Sequence, residues 1–141
     1  MPVYRCFSPA GLLSRPAKAA VAEGITDIHT RTTGAPRRYV NVLFHEIPDG
    51  DCFVAGQPAA YSYIFGLIRH GRELPKRQAM LGELSRMWAQ ATGQSEAEIL
   101  VVLIEVDPAN AMEAGAILPE PGAEQLWLEA NRAVLVGKTS T

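Results

Sequence analysis

The chain carries only two cysteines in 141 residues, Cys6 and Cys52, and their separation matches no zinc-ligand spacing. A disulfide framework and a structural metal are thereby set aside, and both thiols are read as reduced packing residues. An excess of one charge is also missing: 13 Lys and Arg against 15 Asp and Glu leave a formal charge of −2. Such a chain has no basic field for nucleic acid. No apolar run approaches the roughly 18 residues that would span a bilayer, so no membrane partner is expected. Residues 1–30 contain neither a continuous apolar stretch nor a small-residue cleavage site, so no secretory leader is expected and the address is read as cytoplasmic.

What is present is clear punctuation. The length suits one domain spanning residues 1–141, with a single core that buries about two thirds of the unfolded surface. Pro2-Val3-Tyr4-Arg5-Cys6-Phe7 reads as an opening strand. Ser14 then caps a helix with Pro16 in its first turn, and Ala17, Val21, Ile25 and Ile28 keep helical spacing up to Gly34. Tyr39 to Ile47 reads as a strand stopped by Pro48-Asp49-Gly50, followed by a short hairpin around Cys52 to Val54. Tyr63 to Ile68 opens a second round. Pro75 starts a helix whose Met80, Leu81, Leu84, Met87, Trp88 and Ala91 mark one face, and Gly93 closes it. Ile99 to Val106, the most apolar strand, ends at Asp107-Pro108. In the tail, Leu126, Trp127, Leu128 and Val134 suggest a short helix, and Gly137 to Thr141 should fray.

Val42-Leu-Phe-His-Glu-Ile-Pro and Val102-Leu-Ile-Glu-Val-Asp-Pro hold the same place in two halves, about 2–59 and 60–122, each strand, helix, strand. Two such β-α-β units need right-handed crossovers and give a two-layer α+β fold, a four-stranded sheet with both helices on one face. Two helices cannot cover both faces of a strand as apolar as Val101 to Ile104, so association of subunits is the expected cover.

Pro2 carries the chemical interest. Removal of Met1 would turn its nitrogen from an amide into a secondary amine that can accept a proton, donate one or attack a carbonyl. Taken alone, Pro2 is an ordinary neighbour of a start methionine. Likewise His29 alone is a partly exposed histidine near a helix end, Arg69 and Arg72 are surface arginines, and Glu113 is a loop carboxylate.

Together these residues change the reading. Pro2-Val3-Tyr4, Ile25-Thr26-Asp27-Ile28-His29, Ile68-Arg69-His70-Gly71-Arg72, Glu113-Ala114-Gly115 and Pro119-Glu120-Pro121-Gly122 resemble the tautomerase superfamily, and within it the cis-3-chloroacrylic acid dehalogenase group. The resemblance implies a homotrimer of duplicated β-α-β subunits that needs no cofactor and no metal and acts on a small carboxylate substrate. It further implies that Pro2 lies at the floor of the pocket, that His29, Arg69 and Arg72 bind the substrate carboxylate, and that Glu113 handles a water or a proton. Two arginines three residues apart at a strand end can converge on one carboxylate.

Val102 departs from the pattern. The dehalogenases carry there a tyrosine that helps to activate water, and valine has neither donor nor acceptor. Ala114 and Ala116 also replace larger groups, so a roomier and more apolar pocket is expected, with Tyr4, Tyr61 or Tyr63 as sources of a substitute hydroxyl. The resulting expectation is a keto–enol tautomerase of small 2-oxo acids or their enols. The alternatives are a hydratase, dehalogenase or decarboxylase of small unsaturated or β-keto acids, and a trimeric protein that binds ligands without catalysis. His45 and His70 match no family role, and Arg37 and Arg38 read as solvated residues beside a turn.

Overall fold

A computed structural model describes residues 1–135, so the expected fraying of Gly137 to Thr141 lies outside the described residues. The first half comprises β1 (Val3–Pro9), α1 (Arg15–Thr33) and β2 (Asn41–Ile47), followed by a small hairpin of β3 (Phe53–Val54) and β4 (Gln57–Pro58). The second half repeats this order with β5 (Ser62–Arg69), α2 (Leu74–Thr92), β6 (Ile99–Val106) and a hairpin of β7 (Met112–Glu113) and β8 (Ala116–Ile117). Helices α3 (Glu124–Ala130) and α4 (Arg132–Leu135) follow.

The four long strands form one sheet in the order β2-β1-β5-β6. Within each half the strands run parallel, and β1 meets β5 antiparallel at the centre. This is the two-layer α+β architecture expected from the duplicated pattern. One boundary differs. Tyr39 was expected in a strand but lies in a 3₁₀ turn, Arg37–Tyr39, which the extended Pro36 introduces. Proline ahead of this turn fixes φ and delays the sheet to Asn41.

Both helices begin and end as their residues dictate. Ser14 Oγ accepts a hydrogen bond from the Ala17 amide at 3.2 Å, and Pro16 occupies a position where its missing N–H is harmless. Gly34 and Gly93 close α1 and α2 in left-handed conformation. The buried stripe of α1 is Val21, Ile25, Ile28 and His29, and that of α2 is Met80, Leu84 and Trp88. These pack on Tyr4, Cys6, Ile64, Ile68 and Ile99 from the sheet. Each fully buried apolar side chain of this size contributes about 1.5–3 kcal/mol relative to exposure. Ala91, expected on the buried face of α2, is exposed in the helix's last turn.

Alternation along the strands sends Leu43, Leu100, Val102 and Ile104 to the other face of the sheet. Leu43, Leu100 and Ile104 are 44–48% exposed in the single chain, an apolar face that no layer covers among the described residues. Among the described residues no helix is long and apolar enough to cross a membrane.

The duplication extends to the backbone of the two small hairpins. The hairpin turns Ala55-Gly56 and Ala114-Gly115 both have positive φ at both residues, 51° and 74° in the first, 52° and 79° in the second. This is the primed turn geometry that matches the twist of a two-residue hairpin. It places Val54 in the first half where Glu113 stands in the second.

Candidate active site

The chain start, the last turn of α1, the β5–α2 loop, β7 and α3 enclose a cavity of about 450 Å³. Its polar residues include His29, Arg69, Arg72, Glu113 and Glu124, with Met1 and Pro2 at the chain start. All five residues singled out in the sequence, Pro2, His29, Arg69, Arg72 and Glu113, therefore line one cavity.

Sheet register brings Pro2 there. Val3 pairs with Leu67, so the preceding residue falls beside Ile68 at the end of β5. Pro2 is fully buried. Its carbonyl is held twice by Asn41, through the backbone amide at 3.0 Å and the side-chain Nδ2 at 3.1 Å. With Met1 in place the prolyl nitrogen is an amide, and the terminal amine belongs to Met1. That amine forms an ion pair with the Glu113 carboxylate inside the cavity.

His29 is 3% exposed and meets the Tyr4 ring edge to face. Its Nδ1 lies 2.8 Å from the Tyr4 hydroxyl. Burial, reinforced by Arg72, the chain-terminal amine and Arg69, pulls the imidazole down to about 4, so it is neutral near pH 7. Burial pushes the Tyr4 hydroxyl up, so it stays protonated. With the hydroxyl donating to Nδ1, Nε2 carries the ring proton and is the nitrogen free to donate toward the cavity. Gly66 makes this contact possible: a Cβ there would lie 2.6 Å from the Tyr4 ring.

The two arginines expected to bind the carboxylate both line the cavity but differ in their partners. Arg69 donates to the Pro119 carbonyl at 2.8 Å and to Glu124 Oε1 at 2.6 Å. Arg72, half-buried, has no hydrogen bond or ion pair from its guanidinium among the described residues. Burial and the neighbouring Arg69 push it below the usual arginine value. Of these two arginines, Arg69 is engaged and Arg72 is not, among the described residues.

No expected tyrosine substitute reaches the cavity. Tyr4 is committed to His29, while Tyr61 and Tyr63 pack on each other, with Tyr63 3.7 Å from the Cys52 sulfur. The tyrosine that does line the cavity is Tyr39. Val102 lies on the open sheet face and is not among the residues that line this cavity. Ala114 and Ala116 flank Glu113 within the β7–β8 hairpin.

The remaining polar candidates lie elsewhere. Arg37 pairs with Glu23 and Asp27 on the surface, and Arg38 stacks over Tyr39 at 4.9 Å. His45 stacks on Phe7 at 4.6 Å. Burial pushes the Cys6 thiol up to about 12, which keeps it unreactive in the core. Among the described residues, His70, Asp107 and Glu120 bring potential metal-ligating atoms within 4.8 Å of one another, outside the cavity lining. His70 Nε2 already lies 3.0 Å from Glu120.

Glu124, Asn41 and Tyr39 were not anticipated as site residues. Asn41 and Tyr39 were read only as parts of a strand, and nothing in local spacing marks Glu124. The apolar wall, Leu118, Trp127 and Leu128 among others, comes from the segment after β8, where only the apolar character of the tail was visible.

The geometry has counterparts among solved structures. The crystal structure of N1, a member of the cis-3-chloroacrylic acid dehalogenase family, is 29% identical, with a TM-score of 0.91 over 99% of each chain. Native Ps01740 is 40% identical, with a TM-score of 0.77 over 79% of this chain and 99% of its own. Pt0534 inactivated by 2-oxo-3-pentynoate is 30% identical, with a TM-score of 0.76 over 82% and 94% of the two chains. Fused 4-OT trimers, 20–22% identical, share the fold. No curated protein matches the chain. Residues 1–132 match the family described as "Putative oxalocrotonate tautomerase enzyme". The chain belongs to that family, within the tautomerase superfamily and its cis-3-chloroacrylic acid dehalogenase-like group.

Proposed function

We propose that the protein is a cofactor-independent keto–enol tautomerase of small carboxylated 2-oxo acids or their enols, and that Pro2 becomes its catalytic amine when Met1 is removed. The observation that carries this reading is the burial of Pro2 at a cavity shared with neutral His29, Arg72 and Glu113. Arg69 and Arg72 disfavour a second cation there, so the prolyl nitrogen is held toward its neutral, basic form. It takes the proton from the enol oxygen and returns it to the adjacent carbon, giving the ketone. Arg72 and the Nε2–H of His29 stabilise the negative charge of the substrate as it develops. A cytoplasmic homotrimer is part of the proposal, supported by the open apolar sheet face and by the trimers formed by fused 4-OT.

One observation favours a second reading. Glu113 already stabilises a cationic terminal amine, and the same pairing would favour cationic Pro2. Cationic Pro2 would protonate an unsaturated acid while Glu113 activates water, which is hydration or, with a halogenated acid, dehalogenation.

The test uses 2-oxo-3-pentynoate, the acetylenic 2-oxo acid that inactivates Pt0534. Intact mass should show loss of Met1 and one adduct per chain, mapped to Pro2, with enol ketonisation abolished in parallel. Pro2→Ala should fold normally and lose most activity. Retained Met1, or full activity in Pro2→Ala, refutes the proline mechanism.

A further inference from the structure

Arg69, His70 and Gly71 act as a dock for the segment that follows β8. Arg69 holds the Pro119 carbonyl and the Glu124 carboxylate, and His70 meets Glu120. Gly71, at φ 100°, leaves room for Pro121, whose Cγ would lie 2.5 Å from any Cβ at this position. Three consecutive residues thus pin three successive parts of one strap. The strap in turn presents Leu118, Trp127 and Leu128 to the cavity. Trp127 is fixed from below, since its indole N–H donates to the Ile117 carbonyl at 2.5 Å.

Glu124 is well suited to stay ionised in this place. Burial opposes its charge, but its own backbone N–H, Arg69 and the Gly122 amide together hold the carboxyl below the usual value. The Gly122 amide donates to Oε2 at 2.8 Å while Arg69 takes Oε1, so both oxygens are engaged. A substrate carboxylate approaching Arg69 meets an anion already seated there. The neighbouring Arg72 lines the same cavity with its guanidinium unengaged.

We infer that Glu124 is a resident carboxylate that withdraws Arg69 from ligand binding, so that the cavity selects acids with one carboxylate, held by Arg72, and an apolar body packed on Trp127 and Leu128. This rests on the functional reading above for the identity of the site, and it names the substrate class: aryl or bulky alkyl 2-oxo acids rather than dicarboxylic ones. Arg69 is then a positioning residue that holds the strap.

Binding of unreactive acids tests the inference independently of catalysis. Phenylacetate offers one carboxylate and an aryl group, and succinate offers two carboxylates without one. By titration calorimetry the wild type should prefer phenylacetate, and Arg72→Ala should weaken it tenfold or more. Arg69→Ala removes no carboxylate contact but loosens the strap, so it should weaken phenylacetate clearly less than Arg72→Ala does, with Arg69→Met replacing it if the alanine variant does not fold. Glu124→Gln should raise succinate affinity at least fivefold, and Arg69→Ala combined with Glu124→Gln should abolish that gain. The inference is overturned if phenylacetate does not bind, if Arg69→Ala weakens it as much as Arg72→Ala, or if Glu124→Gln leaves succinate unchanged. A failed proline mechanism would leave these binding results intact, so the two failures are distinguishable.

Discussion

Trp88 stands in α2 where His29 stands in α1, each five residues before the glycine that closes its helix, and both are buried. In the first half the imidazole borders a cavity. In the second the larger indole fills the space and donates to Gln94 Oε1 at 2.8 Å, an oxygen that also accepts from Ser62 at 2.7 Å. One half of the duplication keeps a site and the other is packed shut. Trp88→Ala should therefore cost about 3–5 kcal/mol, the usual penalty for emptying a buried aromatic position. Urea denaturation checks the loss, and phenylacetate titration of the folded variant should be unchanged because Trp88 does not border the cavity.

His29 makes stability depend on pH. Its folded value of about 4 lies below the ordinary 6.5, so the unfolded chain binds the proton more readily between those values. Stability is full above about 6.5 and falls as the pH drops toward 4, by roughly 3 kcal/mol at 1.36 kcal/mol per unit. Other carboxylates add their own slopes, so the readout is the difference between wild type and His29→Asn in urea melts at several pH values. Parallel curves for the two proteins would contradict the assignment.

Tyr4 and Asn41 hold His29 and Pro2 from outside the cavity lining. Tyr4→Phe removes the hydroxyl beside Nδ1 and should cost about 1–3 kcal/mol through a buried nitrogen left unsatisfied. Imidazole ¹⁵N shifts should show a mixed tautomer population in place of one form. Asn41→Ala removes one of two bonds to the Pro2 carbonyl. It should lower kcat more than it raises KM, since it loosens the amine and leaves the acid-binding wall alone.

The open sheet face should hold copies of the chain together. Ile104→Lys puts a charge on that face and should convert the proposed trimer to smaller species by light scattering, with helix content retained. A wild-type monomer, or an intact lysine trimer, would contradict this.

Val102→Tyr tests the reach between copies. The side chain projects from the open face, so any gain in hydration of a haloacrylic acid should appear in the assembled protein and vanish when Ile104→Lys is added. A gain that survives in the dissociated variant would mean that the tyrosine works within its own chain.

Much of this was legible in the sequence because it is local. Alternation in Ile99 to Val106, the Ser14 cap and the closing glycines are properties of a few neighbouring residues. The cavity residues were found through their resemblance to a family, since spacing alone does not bring Pro2 near Glu113. What escaped was the choice of partners. Glu124 reaches Arg69 from 55 positions away, and Tyr4 is taken from the cavity by His29, 25 positions on. Such choices follow from how helices and loops approach in three dimensions. Tyr39 was missed because Pro36 delays the strand and turns the ring inward.

The buried chain start also sets a rule for handling the protein. Met1 lines the cavity itself, so any peptide fused ahead of it must pass through part of that space. An amino-terminal affinity tag would keep the prolyl nitrogen an amide and add chain inside the cavity. Recombinant preparations need a tag at the other end, or a protease whose cut leaves proline first.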